Sequence, residues 1–182
     1  GKPSGYRYRT VDNLTGNITY TIATGITYDP SGNISRSQIQ TLAFINGETV
    51  KNETTTMTYS NYDANGKPGS YQYHTIDNRT GKVTDTFASN ITYDSSGSMV
   101  SGKIQTVEKN PDGRIIRNET NNIIDSKYDD LGRMQSSISH TTGINEGANV
   151  DAWTYFGYSD KGSTAETSVY NSNDQLTSFW TY

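Results

Sequence analysis

The chain repeats itself about every 66 residues, and this constrains its fold more than any other feature. Gly1-Lys2-Pro3 returns as Gly66-Lys67-Pro68, Tyr6-Arg7-Tyr8 as Tyr71-Gln72-Tyr73, and Ile26-Thr27-Tyr28-Asp29 as Ile91-Thr92-Tyr93-Asp94. After a one-residue slip, Asn52-Glu53-Thr54 becomes Asn118-Glu119-Thr120. About half of the first 42 aligned positions are identical. The copies span 1–65 and 66–131, with a degenerate third copy over 132–182. They predict one continuous array rather than independent domains, because stacked repeats rely on their neighbours. Gly1 aligns with the middle of a turn-and-strand unit, so a longer parent polypeptide with flanking domains is expected.

Within each copy a second signal recurs, a turn of the form Asp/Asn-x-x-Gly. It occurs at Asn13–Gly16, Asp29–Gly32, Asp63–Gly66, Asn78–Gly81, Asp94–Gly97, Asn110–Gly113 and Asp129–Gly132, with a Ser variant at Ser159–Gly162. Asn46-Gly47 stands where Asp112-Gly113 recurs. Asp or Asn can accept backbone amides of the turn, and Gly takes the left-handed conformation that ends it. Type I turns followed by a left-handed Gly make hairpins with a bulge, so Gly16, Gly32, Gly47, Gly66, Gly81, Gly97, Gly113, Gly132 and Gly162 are read as structural.

Between turns the residues alternate with period 2. Ile18, Tyr20 and Ile22 fall on one face, with Thr19 and Thr21 on the other. Each strand should therefore carry an apolar face and a Thr-rich polar face. No sustained helical spacing occurs. The fold expected is all-β, a tandem antiparallel β-hairpin array forming an elongated twisted sheet. Leu, Ile, Val and Phe make up only about a sixth of the chain, so Tyr and Ile must supply most of the apolar area.

Composition narrows function. There is no cysteine, which excludes disulfides and thiolate metal sites. The formal net charge of −4 and the lack of a basic stripe argue against nucleic acid. No apolar stretch is long enough to insert in a membrane as a helix. Gly-rich phosphate loops and nucleophile or zinc motifs are absent from the sequence, so neither an enzyme nor a cofactor is expected. His74 and His140 occupy equivalent places in successive copies, which points to a structural slot. Calcium needs six to eight oxygens. Asp29, Asp63, Asp94, Asp129 and Asp130 could supply only one or two per turn, and turn geometry already explains them. The Asn-x-Ser/Thr sequons at Asn13, Asn17, Asn33, Asn52, Asn78, Asn90 and Asn118 are the expected product of Asn-rich turns entering Thr-rich strands.

The tyrosines and tryptophans are the binding candidates. Tyr6, Tyr8, Tyr71, Tyr73, Trp153, Tyr155 and Trp180 could line a sheet face as an aromatic ladder suited to glycans or a cell-surface protein. The competing reading packs the same ladder as core.

Tyr-Asp-x-x-Gly at Tyr28–Gly32, Tyr62–Gly66, Tyr93–Gly97 and Tyr128–Gly132, the last followed by Arg133-Met134, and with Ser159 in place of Asp at Tyr158–Gly162, resembles the unit of the YD-repeat, or Rhs-like, proteins. The resemblance implies β-hairpin arrays that wind into a shell, enclosing a toxin in bacterial members and serving adhesion in animal ones. Gly-Arg pairs appear only at Gly113-Arg114 and Gly132-Arg133, and the 66-residue period is unusually regular, which suits an open array as well as a closed shell. The function expected is a scaffold, stalk or shell segment of a large secreted or surface bacterial protein. The alternative is an adhesin or carbohydrate-binding module. Open sheet edges predict edge-to-edge self-association.

Overall fold

The computed structural model describes residues 1–158, 165–171 and 175–181. The described residues are all-β, without a helix. Twelve strands follow one another: β1 (Tyr6–Val11), β2 (Ile18–Tyr28), β3 (Ile34–Ile45), β4 (Glu48–Tyr62), β5 (Pro68–Asp77) and β6 (Val83–Tyr93). Then come β7 (Met99–Lys109), β8 (Ile115–Tyr128), β9 (Met134–Asn145), β10 (Ala148–Tyr158), β11 (Ala165–Asn171) and β12 (Leu176–Thr181). Strand order in the sheet follows the chain. This is the hairpin array that the turn spacing predicts. By contact density the chain divides into two compact units, Gly1–Thr86 with Glu108–Ile115, and Phe87–Val107 with Ile116–Tyr182.

In the first unit β1 to β5 pair antiparallel in sequence order. Tyr6 lies opposite Ala23, Ala23 opposite Ile39, and Ile39 opposite Thr55. One face thus carries Tyr6 and Tyr8 on β1, Thr21 and Ala23 on β2, Ser37 and Ile39 on β3, Met57 and Tyr59 on β4, and Tyr71 and Tyr73 on β5. In the second unit β8–β9, β9–β10, β10–β11 and β11–β12 are likewise antiparallel.

Burial reverses the expectation for β2. Thr21 is 8% exposed and Ala23 2%, whereas Tyr20, on the face read as apolar, is 38% exposed. The cause is side-chain size. Short side chains sit low on the pleat, and longer neighbours on adjacent strands close over them. Large side chains protrude instead, and no large side chain is fully buried among the described residues. Among the described residues the buried apolar side chains are Ala23 and Ile26 in the first unit, and Ala88, Ile91 and Val107 in the second.

Two of these residues, Ile26 and Ile91, each follow a residue in the left-handed region that the alternation does not reveal. Gly25 has φ +59° and Asn90, at the equivalent place in the next copy, φ +53°. At Gly25 the β2–β3 register slips between Thr24 and Thr27. The extra residue re-aims the strand, so Ile26 lines the same side of the sheet as Ala23. Asn tolerates the left-handed region better than other residues with a Cβ, which fits its use at 90.

Candidate functional site

Turn chemistry decides what the conspicuous aspartates are free to do. At 29–32, 63–66, 94–97, 110–113 and 129–132 the Gly N–H donates to the carbonyl three residues earlier at 2.9–3.0 Å. The eight described turn glycines, Gly16, Gly32, Gly47, Gly66, Gly81, Gly97, Gly113 and Gly132, all have positive φ. Gly162 lies outside the described residues.

Two turns differ from the sequence reading. At 12–16 and 77–81 the Gly N–H reaches back four residues, to Asp12 and Asp77, at 2.7 Å. The organising residue is therefore Asp12 or Asp77, one place before the Asn expected. Asp12 accepts the Leu14 N–H at 2.9 Å and the Thr15 hydroxyl at 2.7 Å. Asp77 accepts the Arg79 N–H and the Thr80 hydroxyl, both at 2.8 Å. A carboxylate accepts more strongly than a neutral amide, so Asp wins over its Asn neighbour. Asn46-Gly47 is a third type. Both residues have positive φ (51° and 81°), and Ile45 faces Glu48, which makes a two-residue type I′ hairpin.

The turn aspartates direct their oxygens at their own backbone. Asp63 Oδ1 accepts the Asn65 and Lys67 amides, and Asp129 Oδ1 those of Leu131 and Arg133, all at 2.9 Å. Asp77 and Asp129 are held below the ordinary carboxylate range first by such backbone bonds, whereas Asp12 and Asp94 are held there first by the hydroxyls of Thr15 and Ser96 and then by backbone amides. At Asp29 desolvation works the other way, and bonds from Asn33 outweigh it. Asp29 and Asp63 border a polar hollow of about 590 Å³. Among the described residues no group of three or more His, Asp or Glu is placed to hold a metal.

The tyrosine of the Tyr-Asp pair has a role of its own. The Tyr28 hydroxyl donates to the Pro3 carbonyl at 2.8 Å, that of Tyr62 to Ile34, and that of Tyr128 to Met99 at 3.0 Å. Each ties the end of an even-numbered strand to the backbone at or just before the start of the strand preceding it. The pair thus works as a unit: Asp shapes the turn while Tyr fastens the strand that enters it.

The histidine slot contains ionisable chemistry. The Asp77 N–H donates to the Lys82 carbonyl at 2.9 Å. Carried back three residues along both strands, this register sets His74 opposite Asp85. His74 Nδ1 lies 2.6 Å from Asp85 Oδ1, and Lys109 Nζ 2.9 Å from Asp85 Oδ2. Burial disfavours the Asp85 charge, but the bonds from His74 and Lys109 prevail and hold its carboxyl below the usual range. The equivalent places in the first copy hold Arg9, Tyr20 and Phe44. Arg9 lies 5.9 Å from the Tyr20 ring, which meets Phe44 edge-on at 6.0 Å. Cross-strand contact persists while its chemistry changes from aromatic to ionic. His74 and Lys109 leave no oxygen of Asp85 uncommitted, an arrangement suited to fastening strands together.

The aromatic candidates separate into groups. Tyr6 and Tyr8 stack at 6.1 Å and are 49% and 54% exposed. Tyr71 and Tyr73 stack at 4.6 Å, with Tyr59 edge-on to Tyr73 at 6.0 Å. Burial, followed by the bond from Tyr59, pushes the Tyr73 phenol well above its ordinary value. Between these pairs runs a groove of about 350 Å³, walled by Tyr6, Met57, Tyr59 and Tyr62 and floored by Ala23, Ser37 and Ile39. In the second unit Trp153 stacks on His140 at 4.3 Å and on Tyr155 at 6.4 Å. The Trp180 side chain lies outside the described residues. The groove's floor of Ala23, Ser37 and Ile39 and the His74–Asp85–Lys109 chain both escaped the sequence reading. Asp85 and Asp151 recur eleven residues after each histidine, and that spacing was the available signal.

No family model matches the chain, and neither does any curated protein or solved structure.

Proposed function

We propose that the chain is a scaffold segment of a large secreted or surface bacterial protein, a stalk or shell wall of the YD-repeat kind that carries other domains of the same polypeptide. One observation carries this reading. Both halves of the Tyr-Asp motif engage the protein's own backbone, Asp63 in its turn and Tyr62 on the Ile34 carbonyl. The most recurrent residues of the chain thus act within the array and not on a ligand. The His74–Asp85–Lys109 chain supports the same conclusion, since its charges neutralise one another across strands.

A second reading rests on the groove. Tyrosine rings facing one another over a floor containing Ser37 suit the apolar faces and hydroxyls of pyranose rings. An array of oligosaccharides probed with the labelled chain separates the two. The scaffold reading expects background signal throughout. Saturable binding that Tyr6→Ala and Tyr59→Ala each remove would replace it with a carbohydrate-binding module.

A further inference from the structure

We propose that the outer edge of β1 is a docking site for an extended segment with the alternation of β4. The occupant is a strand with Met or Tyr at every second residue on one face, and Thr or Glu on the other.

The molecule contains its own precedent. β1 and β5 are equivalent strands, offset by 65 residues: Tyr6, Arg7, Tyr8 and Arg9 stand where Tyr71, Gln72, Tyr73 and His74 stand. β5 is covered on one edge by β4, with Met57 opposite Tyr73, Thr58 opposite Gln72 and Tyr59 opposite Tyr71. Among the described residues β1 pairs with β2 alone, and all six of its residues are exposed. A strand edge with unpaired backbone groups is a template for a further strand. Tyr6 and Tyr8 also keep their ring stack, which preforms half of the aromatic contact that Tyr59 and Met57 complete on β5.

The register follows from the precedent. A Met in the place of Met57 would face Tyr8, and a Tyr in the place of Tyr59 would face Tyr6. Residues in the places of Thr56 and Thr58 would face Arg9 and Arg7. These two arginines are where β1 departs from β5, which has His74 and Gln72. Opposite charges on facing strand positions are favourable, so acidic residues at the Thr56 and Thr58 places should improve the fit. A folded second copy cannot donate β4 itself, because β3 and β5 already occupy both of its edges. The occupant therefore has to arrive as an extended segment.

The test uses a fluorescent synthetic peptide of residues 53–62 titrated into the full chain, with amide hydrogen exchange read residue by residue. Saturable binding in the micromolar range is expected, with slowed exchange confined to β1. Peptides carrying Met57→Lys and Tyr59→Lys should bind at least about tenfold more weakly, and one carrying Thr56→Glu and Thr58→Glu about threefold more tightly at low salt. Changing the protein by Arg7→Glu and Arg9→Glu should reverse the preference for the acidic peptide, a readout that a merely destabilised protein would not give. Three results would overturn the proposal: unchanged exchange in β1, protection at β3 and β5 that marks displacement of the chain's own β4, or a self-associated chain whose β1 is already protected and which the peptide does not dissociate.

Discussion

The two histidines occupy equivalent places in successive copies yet keep different company. In the first unit His74 is bonded at 2.6 Å to Asp85, whose side chain is only 11% exposed, and Lys109 holds the other carboxylate oxygen. In the second unit His140 lies flat against Trp153, and its bond at 2.8 Å goes to Asp151, whose side chain is 46% exposed. The difference originates in the turns. The β5–β6 turn closes between Asp77 and Lys82, whereas β9–β10 closes between Asn145 and Ala148 around Glu146 and Gly147, both with positive φ. The tighter turn shifts the register by two residues. Trp153 then stands opposite His140, and Asp151 moves beside it, opposite Thr142. The histidine thus keeps the equivalent aspartate as its bonding partner in both copies, but the residue that faces it across the strands changes, because hairpin register is fixed by the turn.

The same shift bears on Gly143. It faces Glu119, whereas at the equivalent place in the first unit Asp77 faces Glu53. Glu119 is only 7% exposed and binds Arg117 at 2.6 Å. A Cβ on Gly143 would fall 2.1 Å from the Asn118 carbonyl oxygen. Gly143→Ala should therefore be the most damaging change, destabilising by about 3 kcal/mol in urea unfolding through overpacking and backbone strain. Gly47→Ala, where a Cβ meets nothing within 4 Å but φ is +81°, should cost about 1 kcal/mol. Equal losses would show that close approach at β8–β9 is not what requires glycine.

Next in size is the slot itself. Asp85→Ala removes two charge-assisted bonds from a buried position and should cost about 2 kcal/mol. Asp151→Ala, at an exposed site, should stay within about 0.5 kcal/mol. Denaturant midpoints of the two variants check this directly. Smaller still, Tyr62→Phe and Tyr128→Phe each remove one hydroxyl bond to backbone and should cost about 1 kcal/mol, with the fold retained by circular dichroism.

The smallest effect is on pH dependence. The Asp85 carboxyl titrates lower when folded than when unfolded. Its contribution is therefore complete above the unfolded value, about 4, and is lost as pH falls through the folded one. Asp85→Asn should lose less stability than the wild type between about pH 5 and pH 2. The slope should stay above zero, because Asp12, Asp29, Asp77, Asp94 and Asp129 shift in the same direction. An unchanged acid limb would mean that His74 and Lys109 do not favour the ionised form.

Much of the fold was legible because glycine punctuates it. A left-handed turn residue leaves a local mark, and the residues flanking Gly32, Gly66, Gly97 and Gly132 follow one rule. Other features depend on what lies across the sheet. Asp12 and Asn13 compete for the same turn, and only their bonds decide between them. Gly25 marks a bulge within a strand, but Asn90 takes the same left-handed φ with no glycine to announce it. The covered face of β2 carries Thr21 and Ala23, since burial depends on the size of neighbours as well as on polarity. The candidate site was legible as positions, a repeated histidine and paired tyrosines. Its partners were not, since Lys109 reaches Asp85 from 24 residues away.

Side-chain chemistry in this chain fastens strands together, and turn length chooses which residues face one another and how deeply each pair is buried. A pair of double-mutant cycles tests this most directly, measuring the coupling of His74 with Asp85 and of His140 with Asp151 in urea unfolding at neutral pH. The predicted result is a coupling of about 1 kcal/mol or more for the first pair and close to zero for the second. Equal couplings, or none at His74, would contradict it.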